Sequence, residues 1–131
     1  MMNKIIGLFL GLMMGFVTCA HATPPKQLIT HNNTNFDSNA YIAGTIPSQY
    51  PTPAQGMSKV PWTNVRLACF GHVVNGLCTA DIVMGINTPN PINIGTVSVD
   101  INTGAITPAQ ISSNGFTLTV VGLGETVITQ D

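Results

Sequence analysis

Beyond about residue 23, apolar and polar residues alternate with a period of two, and Gly, Pro and Asn punctuate the runs. That pattern predicts short strands, each with one face toward a core. Phe116, Leu118 and Val120 alternate with Thr117 and Thr119, and Gly122-Leu123-Gly124 turns the chain into Glu125 to Gln130, which closes a hairpin. Ile92 and Ile94 keep one phase and Val97, Val99 and Ile101 the other, so Gly95-Thr96 marks a bulge or a bend. Strands are also expected over Gln27 to His31 and Asn39 to Ile46, separated by Asn32-Asn33-Thr34-Asn35. After the turn Asn102-Thr103-Gly104 comes a short strand, Ala105 to Thr107, and then a connection, Pro108 to Asn114, with room for one helical turn. No stretch sustains the three-four spacing of a helix for three turns.

The clearest unit runs from Thr63 to Ile86. Val65, Leu67 and Cys69 alternate with polar or small neighbours, and so do Cys78, Ala80, Ile82, Met84 and Ile86. Both cysteines fall on the apolar face. Gly71 and Asn75-Gly76 supply positive-φ positions for a hairpin connection. With Cys69 opposite Cys78, partner numbers sum to 147, so Arg66 faces Asp81 as an opposite-charge cross-strand pair. A tight turn at Asn75-Gly76 is the alternative register and would separate the cysteines along the strands.

Residues 47–61 hold four prolines and one glycine. Lacking the donors for a ladder, they read as an extended surface loop. Roughly seven or eight short strands then fit an all-β fold. The expected form is a small antiparallel two-sheet sandwich, Ig-like or jelly-roll-like, with a small β-barrel as the alternative.

The N-terminus follows a different pattern. Lys4 precedes an apolar run from Ile5 to Val17, and Ala20-His21-Ala22 stands before Thr23-Pro24-Pro25. This is a basic start, an apolar middle and a small-x-small cleavage site, which reads as a signal peptide, residues 1–22, cleaved after Ala22. The run is shorter than the roughly 20 apolar residues that span a bilayer, so no stable membrane insertion is expected after cleavage. Lipid anchoring through Cys19 is disfavoured because Phe16, Val17 and Thr18 stand where a lipoprotein signal carries Leu, a small or β-branched residue, and Gly, Ala or Ser. Removing 22 of the 131 residues leaves 109, enough for a single β-rich domain, 23–131.

Export changes the weight of the remaining residues. Cys19 leaves with the signal, so Cys69 and Cys78 form an even pair in an oxidising compartment, periplasmic or extracellular, and are expected to be a disulfide. Three basic residues, Lys26, Lys59 and Arg66, stand against five acidic ones, a net charge of −2. Such a chain has no basic patch for phosphates or an anionic bilayer surface, which argues against nucleic acid as a partner.

No catalytic, cofactor-binding or metal-binding residues are assigned. His31 and His72 lie in separate segments without metal-ligand spacing, and neither a Cys-x-x-Cys nor a Gly-x-Ser-x-Gly motif occurs. Asp100 near Asn102 and Gly104 reads as a turn residue bonding its own backbone. Asn32-Asn33-Thr34 matches a glycosylation acceptor and is given no role. The residues singled out as partner contacts are Tyr50 and Met57 in the Pro-rich loop, His72 in the hairpin connection, and Trp62, for which core packing is the stronger reading.

Val60-Pro61-Trp62, Val65 through His72, Asn75-Gly76-Leu77-Cys78, Val97-Ser98-Val99-Asp100 and Gly104 through Pro108 together resemble a group of small exported proteins of intracellular Gram-negative pathogens. The resemblance covers most of the mature chain. It implies export and host association, and carries no implied chemistry. The expected function is therefore a non-enzymatic exported domain that binds a protein or a glycan. A pilin-like fibre subunit is the alternative, although Thr129-Gln130-Asp131 lacks the Tyr that usually precedes a pilin C-terminus, and a small hydrolase using a histidine ranks third.

Overall fold

The computed structural model describes residues 23–131. The expected signal peptide, with Lys4, Cys19 and His21, lies outside the described residues. The strands are β1 (Gln27–Asn33), β2 (Ser38–Ile42), β3 (Ile46–Pro47) and β4 (Gly56–Pro61), then helix α1 (Trp62–Cys69). They continue as β5 (Leu77–Met84), β6 (Ile92–Asp100), β7 (Ile106–Thr107), β8 (Gln110–Ser113), β9 (Phe116–Gly122) and β10 (Glu125–Gln130).

Two five-stranded sheets form, in the orders β4-β1-β10-β9-β8 and β3-β2-β5-β6-β7. The fold is the small two-sheet sandwich that the alternation predicts. Every strand pair is antiparallel except β10 with β1, which run parallel with His31 beside Val127. Met84, Ile94, Leu118 and Ile128 are fully buried and join both sheets in one core. The predicted phase switch in β6 is a bulge: Ile82 pairs with Gly95 and Val83 with Asn93, so the intervening Ile94 turns inward.

Five expectations are corrected. Thr63 to Cys69 is not the first strand of a hairpin but most of α1. Trp62, Val65 and Cys69 are its buried residues, at helical three-four spacing, whereas Leu67 is 73% exposed. Period two and period 3.6 share positions 65 and 69, and the outward Leu67 separates them. Arg66 consequently lies on a helix and does not face Asp81. Asp81 pairs with Tyr41 and Thr96, and its carboxylate accepts from Asn93 Nδ2 (3.0 Å) and Thr96 Oγ1 (2.7 Å).

The loop expected over residues 47–61 ends in a real strand. β4 pairs with β1 from Gly56 to Pro61 at the sheet edge, where a terminal proline with no N–H is tolerated. Residues 110–113, expected within a connection, form β8, joined to β9 through Asn114-Gly115 with φ of 53° and 86°. Positive φ at both central residues is the two-residue hairpin turn that suits sheet twist. The strand expected over Asn39 to Ile46 instead stops at Ile42, where Ala43 and Gly44 take positive φ and the chain returns as β3.

Trp62 belongs to the core, 5% exposed, with its indole N–H donating to Ile101 O at 3.0 Å. A buried indole needs such an acceptor. A helix of eight residues is marginal alone. Here Trp62 pins one end, and Cys69, bonded to Cys78, pins the other.

Candidate functional site

The disulfide bridges the last residue of α1 and the second residue of β5, with Cα atoms 6.0 Å apart. Between them the chain turns at Gly71, then at Asn75-Gly76, both of which take positive φ. Val74 and Leu77 exchange backbone hydrogen bonds of 2.9 and 3.0 Å across Asn75-Gly76. The tight turn of the alternative register is therefore present. It coexists with the disulfide because Cys69 arrives on a helix, not on a strand.

This stapled segment is apolar and faces water. Leu67, Phe70, Val73, Val74 and Leu77 are five of the ten exposed large apolar side chains among the described residues. Phe70 is 83% exposed and Val74 68%. A polar loop would be the ordinary way to cap a sandwich, and clustered exposed apolar side chains mark interaction surfaces. Arg66 lies exposed in the last turn of the same helix, where a cation is favoured beside the carbonyl end.

A groove of about 280 Å³ adjoins this tip, walled by Leu67 and Ala68 on α1 and by Ile46 and Pro47 on β3. Tyr50 closes its inner side, and Asn64 Nδ2 donates to the Tyr50 hydroxyl at 2.9 Å.

The residues singled out from sequence fall in separate places. Tyr50 lines the groove, half-exposed; His72 lies exposed inside the stapled tip; Met57 stands on the outer face of the first sheet, opposite His31. Trp62 is withdrawn into the core and offers no surface. Sequence reasoning missed Phe70, Val73, Val74 and Leu77, and placed Leu67 inward. The available signal was density: apolar residues persist on both sides of Gly71 and Asn75-Gly76, where turn residues alone would predict a polar loop.

A second feature was also missed. His31 Nε2 lies 2.7 Å from Glu125 Oε2 across the parallel β1–β10 pair, both side chains about one third exposed. A histidine held by a carboxylate is part of what acyl transfer requires. The ladder neighbours of His31, Met57 and Val127, supply no nucleophile. Among the described residues no three His, Cys, Asp or Glu side chains converge as metal ligands.

Asn32 is fully buried and bonds inward. Its Oδ1 accepts from Thr34 N and Oγ1, and its Nδ2 donates to Phe36 O and Thr52 O. The glycosylation triplet is an internal turn whose acceptor atom is unreachable. Asp100 takes the predicted turn role, accepting from Asn102 N and Thr103 N.

The fold and the tip together define a small disulfide-stapled β-sandwich that exposes an apolar surface. The chain belongs to the NttC family, described as type II secretion system substrate NttC, whose family model matches residues 2–131. It is also similar to the crystal structure of the Legionella pneumophila type II secretion system substrate NttC. The identity is 55% and the TM-score 0.80, over 82% of this chain and 99% of that one. No curated protein matches. The protein is thus an exported one, and the expected kinship with small secreted proteins of an intracellular pathogen holds.

Proposed function

We propose that the protein is a non-enzymatic secreted domain that acts outside the cell by docking its disulfide-stapled apolar tip into a protein partner. The observation that carries this reading is the concentration of Leu67, Phe70, Val73, Val74 and Leu77 on one stapled segment. Four aliphatic side chains around Phe70 suit an apolar pocket on a protein, where an aromatic anchor contributes most. The staple and the Asn75-Gly76 turn fix the segment before it binds, which lowers the ordering cost of association. The family's description as a type II secretion substrate supports action beyond the outer membrane.

The fibre-subunit reading has less support. The first described strand, β1, already lies beside the last strand, β10, the place a donated strand would fill.

A photo-crosslinking residue placed at Val74, with Thr117 on β9 as control, tests the reading on host and envelope fractions. A discrete protein adduct from Val74 and none from Thr117 is expected. Equal labelling from both sites, or no adduct from either, contradicts it.

A further inference from the structure

One recess between the sheets is lined by hydroxyls. Thr30 on β1 pairs with Ser58 on β4 and with Thr126 on β10, so three hydroxyl side chains stand in a row across adjacent strands and border a space of about 100 Å³. Elsewhere the inward positions of these strands hold apolar residues, Leu28, Val60 and Ile128. Ser38 on β2 and Thr52 border the same space.

The bonding of these hydroxyls is incomplete. Thr52 Oγ1 and Ser58 Oγ bond each other at 2.8 Å. Ser38 and Thr126, 3% and 5% exposed, have no hydrogen-bond partner for their hydroxyls among the described residues. A buried hydroxyl left unpaired is disfavoured, and two of them bordering one space call for a polar occupant. Thr30 and Ser58 are only partly buried, so the recess is half-open and an occupant can enter from solvent.

The facing wall is apolar, formed by Ala80, Val97 and Val99. A water molecule against that wall meets hydroxyls on one side only, whereas buried water ordinarily makes about three hydrogen bonds. A short polyol instead turns its O–H groups to the hydroxyl row and its C–H groups to the apolar wall. The space equals about three waters at roughly 30 Å³ each, which suits a chain of about three or four carbons.

We propose that this recess binds a short neutral polyol of glycerol size. Ligand hydroxyls both donate and accept, which is what the hydroxyls of Ser38, Thr30 and Thr126 require. No charged side chain lines the space, so a charged ligand would lose its hydration without compensation. None of the five apolar tip residues borders it, so the site is separate from the docking surface.

The test is methyl NMR of the mature protein titrated with glycerol, with 1-propanol and glycerate as comparisons. Expected are saturable shifts of the Thr30, Thr126 and Val99 methyls with glycerol, and at least about fivefold weaker binding of 1-propanol and of glycerate. Thr126→Val keeps the side-chain shape and removes an unpartnered hydroxyl, so it is expected to weaken glycerol at least about fivefold without lowering Tm. Ser38→Ala gives the same reading if Thr126→Val does not fold. Shifts that grow without saturation, water contacts at Thr126 with no response to glycerol, or unchanged binding in the variants would overturn the site. Equal binding of 1-propanol overturns the hydroxyl match, and equal binding of glycerate overturns the preference for a neutral ligand.

Discussion

Cys69 and Cys78 join the end of a helix to the start of a strand, and their bond is the reason an exposed apolar segment between them holds one shape. A loop closed over nine positions removes chain entropy from the unfolded state amounting to about 3 kcal/mol. Cys69→Ser with Cys78→Ser is expected to lower stability by about that amount in denaturant titrations, with sheet content retained. Hydrogen exchange should show the amides of Val74 and Leu77 losing protection before those of β9 and β10. Loss of all ordered structure on reduction contradicts the view that the staple serves the tip and α1.

Asn32 offers a sharper stability test. Replacing it with Ala leaves the Thr34 N–H without its acceptor, whereas Phe36 O still accepts from Thr34 Oγ1 and Thr52 O from Ser38 N. Leaving one such group unpaired costs about 1–3 kcal/mol. The loss for Asn32→Ala in chemical denaturation should therefore fall within that range. A loss below 0.5 kcal/mol, on the order of a neutral surface change, would mean that water replaces the network.

Trp62 anchors α1 through packing and through its bond to Ile101 O. Trp62→Phe keeps most of the apolar contact and orphans the carbonyl, for an expected loss of about 1–3 kcal/mol. Trp62→Ala should cost about 3–5 kcal/mol. Near-ultraviolet circular dichroism together with thermal unfolding separates the two, and an unchanged stability in Trp62→Phe would deny the indole bond any role.

The His31–Glu125 contact joins partly exposed groups, so its contribution is small despite the 2.7 Å separation. A double-mutant cycle with His31→Ala and Glu125→Ala is expected to give a coupling of roughly 0.2–1 kcal/mol. A coupling above 2 kcal/mol would mark the pair as a structural or chemical centre.

Much of the fold was legible because strands with one buried face leave a period of two. β6, β9 and β10 are plain in the alternation, and even the bulge at Gly95 shows as a phase change. α1 was not, since Val65 and Cys69 satisfy both periods and only the exposure of Leu67 separates them. β8 was lost when Asn114-Gly115, a strong hairpin signal, was absorbed into a connection. The disulfide was legible from compartment and cysteine count, although the geometry expected for it was wrong. The apolar tip was hidden for the same reason as α1: a hydrophobic residue in a short apolar run reads as core, and its outward direction is decided by the helix and the staple.

The most direct test of the central claim is the affinity of the partner crosslinked at Val74 for wild type and for Phe70→Ser. Phe70 is 83% exposed, so the substitution is expected to leave Tm unchanged. As the aromatic anchor of the tip, its loss should weaken binding by at least about tenfold. An unchanged Kd with an unchanged Tm would contradict the tip as the docking surface.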